Sequence, residues 1–130
     1  MNELQLLEVL QMKTITTPCG RKHLFSVPIT QSLTKEEHEA LKGEKKIALK
    51  CSKVSNDVLA VIENPVYFEN RKEEISTRTF GTFSTKHPKV ERILAQGDFL
   101  VSGSKTRFIK EIKFNDDLDQ YRLNPQQVHD

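Results

Sequence analysis

The chain has 130 residues, of which 29% are charged and 36% hydrophobic, and its net charge is +2. That length fits one domain with a modest core, and so small a net charge, with signs interleaved as in Arg71-Lys72-Glu73-Glu74, argues against nucleic acid or an acidic membrane as partner. No apolar run approaches the roughly 20 residues of a membrane span, no charged segment leads into an apolar one as in a signal peptide, and two cysteines, Cys19 and Cys51, form neither a zinc spacing nor a disulfide framework.

From Asn2 to Gln11, Leu4, Leu7 and Leu10 recur at helical spacing with Leu6 and Val9 beside them, which predicts a short amphipathic helix, with a frayed terminus as the alternative. Lys13 to Gly20 is Thr-rich, contains Pro18 and reads as loop. His23 to Thr30 alternates loosely around Pro28 and suits an edge strand. Thr34 is an N-cap whose box closes with Glu37, and the helix it opens should end at Lys42, with Gly43 in the left-handed position that follows.

Lys45 to Cys51 alternates, with Ile47, Leu49 and Cys51 on the inner face, as in a half-buried strand. Ser55-Asn56-Asp57 reads as a turn, and the continuous apolar run Val58 to Ile62 reads as a central strand covered on both faces. Asn64-Pro65 reads as N-cap and first helical residue of a helix from Val66 to Arg78, supported by Glu74 and Arg78 at i,i+4. Phe80 and Phe83 sit in a loop and need a core, and His87-Pro88 opens a helix whose buried face holds Val90, Ile93 and Leu94 and which Gly97 closes.

The last third reads as strand, turn, strand and polar exit loop. Asp98 to Val101 is a short apolar strand, Ser102-Gly103-Ser104 is turn chemistry, and Arg107 to Phe114 is a strand with Phe108, Ile112 and Phe114 on one face. Asn115-Asp116-Asp117 stops it, and Asn124-Pro125 opens a final helix. The whole is α+β: a small mixed or barrel-like sheet with short flanking helices. It divides into an N-terminal helix and loop (1–20), a main domain (21–123) and the start of a linker helix (124–130).

Gly97-Asp98-Phe99-Leu100-Val101, then Phe114-Asn115-Asp116 and Leu118-Asp119-Gln120-Tyr121-Arg122-Leu123-Asn124-Pro125, are similar to the ATP sulfurylase part of the bifunctional PAPS synthases of animals. Asn64-Pro65, Phe68-Glu69, Arg71 to Glu74, Gly81-Thr82 and Lys86-His87-Pro88 fall in the same order. The resemblance is most specific from about Val61 to Pro125 and weaker from Val27-Pro28-Ile29 onward. It implies the PUA-like domain that precedes the nucleotidyltransferase lobe of that family, not the lobe that holds ATP. Two features depart from the family: its Pro-Leu-x-Gly-Phe-Met stretch is missing between Leu10 and Val27, and Asp117 stands where a Gly is usual. If that Gly lies at positive φ, Asp costs up to about 1 kcal/mol there.

The parent reaction implied is ATP plus sulfate to adenylyl sulfate and pyrophosphate, carried by a Gln-x-Arg-Asn-Pro-x-His-x-x-His run that stabilises phosphate charge. The sequence contains no such run and no Gly-x-x-x-x-Gly-Lys-Ser/Thr for a kinase half. The expectation is therefore a non-catalytic domain with no catalytic, cofactor-binding or metal residue, whether the chain is a fragment, a truncated isoform or a diverged stand-alone copy. Its expected partner is the catalytic lobe of ATP sulfurylase or full-length PAPS synthase, with weak homo-oligomerisation as a further expectation. The rival readings are a nucleic-acid-binding PUA-like module and a regulatory partner of full-length PAPS synthase. A cytoplasmic or nuclear setting with reduced thiols is expected, a single Cys19–Cys51 disulfide being the alternative.

Four histidines, His23, His38, His87 and His129, show no metal spacing; His87 frames a helix start, and the others are expected on the surface. Arg71 to Glu74 reads as a solvated helix face, with a docking epitope as the sharper alternative. Asp116, Asp117 and Asp119 match no EF-hand pattern and should form turns and pair with Arg122. Tyr121 and Leu123 are expected to pack as a spacer toward the next lobe, and Leu123 and Val128 to be more exposed than Val61 and Ile62.

Overall fold

The computed structural model describes residues 1–51, 53 and 55–129. In chain order the elements are α1 (Glu3–Met12), β1 (Thr14–Thr16), β2 (Lys22–Leu24), β3 (Gln31–Leu33), α2 (Lys35–Leu41), β4 (Lys46–Cys51), β5 (Ser55–Glu63) and β6 (Val66–Glu69). There follow α3 (Lys72–Phe80), α4 (Pro88–Leu94), β7 (Phe99–Ser102), β8 (Lys105–Phe108), a 3-10 turn (Asp119–Tyr121) and α5 (Pro125–His129). The fold is α+β. Its strands form three antiparallel sheets, β1-β2, β3-β7-β6 and β4-β5-β8, rather than one mixed sheet, and none of them closes into a barrel. No helix among the described residues is long and apolar enough to cross a membrane.

The N-terminus is a core element and is not frayed. Asn2 and Gln5 close a capping box, and Leu6, Val9 and Leu10 are fully buried. The buried face differs from the expected Leu4-Leu7-Leu10 stripe, for Leu4 is exposed. The helix rotates so that Leu6 and Leu10, one turn apart, meet Phe68, Ile75 and Leu100. Salt bridges of Arg71 with Glu3 (3.3 Å) and Glu74 (3.7 Å) accompany that packing. The first ties α1 to the start of α3, and Gln11 of α1 donates to Glu74 at 3.3 Å, so the Arg71 to Glu74 run is a structural seam. Glu74 has Arg71, not Arg78, as its ion-pair partner among the described residues.

The Thr-rich segment after α1 is a hairpin and not a loop. Its anchor is Glu8, whose carboxylate accepts from the Thr16 hydroxyl at 2.6 Å, the Thr16 amide at 3.1 Å and the Thr14 hydroxyl at 3.3 Å. Those bonds, the Thr16 hydroxyl foremost, hold the Glu8 carboxyl below its ordinary value. The expected edge strand from His23 to Thr30 survives only as β2, and pairing resumes at Gln31 in β3. Pro28, which cannot donate, lies in the gap.

The Thr34 box with Glu37 forms as read, and Gly43 follows the helix at φ 89°. Ser55 to Asp57 belongs to β5 rather than to a turn; β4 meets it through a register shift near Lys50. β5 is the central strand of its sheet, flanked by β4 and β8, with Leu59, Ala60 and Ile62 buried.

Asn64-Pro65 does not open a helix. Asn64 sits at φ 48° and donates its amide to the Lys45 carbonyl at 2.8 Å, which makes a tight corner. Val66 to Glu69 then pairs with β7, and the helix waits until Lys72. The branched and aromatic run Val66-Tyr67-Phe68 gains a ladder partner that a helix would not supply, and this outweighs the local Asn-Pro signal. Of the two loop rings, Phe80 is half-buried against His87 at 4.9 Å, whereas Phe83 is 60% exposed and finds no core.

β7 joins the two cores. Leu100 enters the cluster of Leu6, Leu10, Phe68 and Ile75, while its neighbour Val101 points the other way into Leu33, Ile47 and Ile62. Just before it, a Cβ on Gly97 would lie 1.9 Å from the Leu33 carbonyl oxygen, so the backbone approach there admits only glycine. Asn70 locks the same corner by donating its side-chain amide to the Gly97 carbonyl at 2.8 Å and its backbone amide to the Asp98 carbonyl at 2.9 Å.

Candidate functional site

The strand expected from Arg107 to Phe114 stops at Phe108. The amides of Ile109 and Lys110 both converge on the Leu59 carbonyl, which breaks the regular ladder with β5 at that point. Phe108, Ile112 and Phe114 therefore share no strand face. They are exposed, as are Ile109, Leu118, Tyr121, Leu123 and Val128. This is a segment of regular apolar content with no core of its own.

Its backbone is nevertheless ordered by one polar cluster. Asp119 accepts from the amides of Phe114 (3.1 Å) and Asn115 (2.7 Å), with Asn115 at φ 57°. Arg122 reaches both oxygens of Asp116, Nη2 donating to Oδ2 at 2.8 Å, and also donates to Asp119 at 2.5 Å. The guanidinium carbon lies 4.5 Å from the centre of the Phe114 ring, a cation–π contact. The hydrogen bond from Arg122 holds the Asp116 carboxyl below its ordinary value, backbone donation from Phe114 does the same for Asp119, and both carboxylates push the guanidinium up. The clasp closes residues 114–122 into a loop that displays Leu118 and Tyr121 to solvent. Leu123 and α5 follow directly, with Asn124 and Gln127 closing a capping pair of 2.9 Å bonds.

The sequence located Asp116, Asp119 and Arg122 correctly as turn-forming partners. Asp117 takes part through its carbonyl, which accepts from Gln120 at 2.9 Å. It is not at positive φ; Asn115 is the left-handed residue of the loop. Tyr121 and Leu123 are 73% and 54% exposed. The expected contrast holds, since Val128 is 70% and Ile62 4% exposed.

The histidines do not converge, and among the described residues no three His, Cys, Asp or Glu side chains come together as a metal site. His38, expected on the surface, instead stacks on Phe99 with ring centres 4.0 Å apart and meets Tyr67 edge-on at 4.9 Å. His87 precedes α4 without a side-chain capping bond. Cys19 and Cys51 are free thiols.

These features define a small α+β domain whose polar chemistry serves its own loops and whose longest run of exposed apolar residues is the exit segment from Phe108 to Val128. The family model described as a PUA-like domain matches residues 1–111, and the chain belongs to that family. Among curated relatives it is 30% identical to ATP sulfurylase 2 of Arabidopsis thaliana, across 100% of this chain and 27% of that protein. It is 25% identical to the chloroplastic ATP sulfurylase 4 of the same plant, again across 100% of this chain and 27% of the relative. A sulfate adenylyltransferase of Entamoeba histolytica is 35% identical over 63% of this chain and 20% of its own length. The chain thus spans about a quarter of the plant relatives that match its whole length. It corresponds to the PUA-like part of these enzymes.

Proposed function

We propose that this chain acts as the non-catalytic PUA-like domain of an ATP sulfurylase, and that its exit segment from Phe108 to Val128 seats against the nucleotidyltransferase lobe of such an enzyme. The carrying observation is the coincidence of two facts. The ATP sulfurylases match it from end to end while extending well beyond it. Its exposed Leu118, Tyr121, Leu123 and Val128 all lie in the segment leading out of the domain. Apolar groups so placed are what an interdomain contact would cover. The parent reaction would be ATP plus sulfate to adenylyl sulfate and pyrophosphate. An animal-type bifunctional PAPS synthase in the cytoplasm or nucleus is the particular parent we favour, because the exit loop sequence resembles that group. Docking onto a full-length enzyme as a regulatory partner, or weak self-association, would use the same surface.

The test has two arms. The isolated chain is expected to show no ATP–pyrophosphate exchange with adenylyl sulfate, and exchange scaling with its concentration would overturn the non-catalytic reading. An ATP sulfurylase from which the corresponding part has been removed is expected to bind the chain, and Leu123→Ser with Val128→Ser to weaken that binding by about tenfold. Sub-micromolar RNA binding that survives a doubling of salt would instead favour the nucleic-acid module.

A further inference from the structure

We propose that the cleft between α3, α4 and the segment from Val27 to Thr30 binds a small amphiphile carrying one carboxylate on an apolar body. The cleft has a volume of about 310 Å³, at the small end of the range for ligand sites. It is distinct from the exit segment: none of the described residues from Phe108 onward lines it.

The walls are apolar and come from three directions. Ile75 and Phe80 face it from α3, Ile93 faces it from α4, and Val27 and Ile29 form the opposite side. Val27 and Ile29 are 53% and 68% exposed, so the apolar surface continues outward past the mouth. Lys89, Ile93 and Gln96 follow one another at i, i+4 and i+7, which puts them on one stripe along α4 and its C-terminal end. That stripe carries an ammonium at one end, an isoleucine in the middle and an amide at the other.

Lys89 is the only ionisable residue lining the cleft among the described residues. Three nearby cations are engaged elsewhere, Lys72 with Asp98 at 2.7 Å, Arg71 with Glu3 at 3.3 Å, and Lys13 with the Arg78 carbonyl, and neither Arg78 of α3 nor Arg92 of α4 lines the cleft. The Lys89 ammonium makes no hydrogen bond or ion pair among the described residues. Among the described residues no carboxylate lines the cleft to repel an anion. A single ammonium beside an apolar wall matches one carboxylate. A phosphate, with more acceptor oxygens, would call for several converging donors.

Sodium octanoate is the probe, titrated into the 130-residue chain while backbone amide shifts are followed by NMR. Saturable shifts are expected at Ile75, Ile93 and Gln96. Octanol, with the same apolar body and no charge, is expected to bind at least about tenfold more weakly. Lys89→Glu should lose at least about tenfold in octanoate affinity with an unchanged thermal melt, and Lys89→Arg should retain it. Octanol binding as well as octanoate, an undiminished affinity in Lys89→Glu, shifts that never saturate, or the absence of binding would each overturn the proposal. None of these readouts depends on an ATP sulfurylase partner, so this test and that of the docking reading fail separately.

Discussion

Phe99-Leu100-Val101 and the stretch from Phe108 to Leu123 are both rich in large apolar residues, yet Leu100 is 0% and Tyr121 73% exposed. The difference lies in backbone partners. β7 is hydrogen-bonded on both sides, to β3 and to β6, so its side chains are held between two packed layers. Beyond Phe108 two amides share one carbonyl, the regular ladder with β5 ends although β5 itself runs back to Ser55, and side-chain hydrogen bonds take over the ordering of the loop. Hydrophobicity supplies a tendency to be buried; a ladder partner decides where burial happens.

Breaking the buried half of that comparison should give the largest effect. Leu100→Ala is expected to cost about 2–5 kcal/mol, measured by urea denaturation, whereas Leu123→Ala should stay within about 0.5 kcal/mol. Similar losses for the two would mean that the exit segment belongs to the core after all. Next comes the corner in front of β7. Gly97→Ala forces a methyl against the Leu33 carbonyl and is expected to cost about 2 kcal/mol, seen as a lower melting temperature with faster amide exchange in β3 and β7. An unchanged melt would show that the corner relaxes freely.

The exit loop should respond more locally. Asp119→Asn removes a charged acceptor from Phe114 and Asn115 and weakens the grip on Arg122. Amide exchange at Asn115 is expected to quicken by about tenfold or more, while exchange in β7 stays as before. Exchange changing equally in both places would make the loop part of the cooperative unit.

Smallest is the effect of pH. Asp116 and Asp119 have folded values below their unfolded ones, so the stability they contribute is fully present above the unfolded carboxylate range. It is lost as pH falls through the depressed folded values. The clasp should therefore stay closed from neutrality down past about pH 4 and open below, seen as a shift of the Asn115 amide resonance while β7 resonances hold. A midpoint at or above the ordinary carboxylate value would contradict the hydrogen-bonding geometry.

What the sequence determined by itself is mostly local. The Thr34–Glu37 box, the left-handed Gly43, the helix after His87-Pro88, the pairing of Asp116 and Asp119 with Arg122 and the final Asn124-Pro125 helix start are all contacts spanning a few residues. Their chemistry is complete within the segment that encodes it, so residue type and spacing suffice. The tertiary structure decided the elements whose partners are distant. Val66 to Glu69 became a strand because β7, more than thirty residues on, offered a ladder. Thr14 to Thr16, though its partners are near in sequence, became half of a hairpin because Glu8 on the assembled α1 gathers the Thr14 and Thr16 hydroxyls and the Thr16 amide. α1 turned Leu6 inward and Leu4 outward because Phe68 and Leu100 lay on one side. The cleft beside Lys89 was equally illegible, since its walls come from three segments that no local pattern relates. Hydrogen-bond satisfaction and close packing are properties of the assembled chain, and they overrule a local preference worth about 1 kcal/mol whenever a distant partner supplies more.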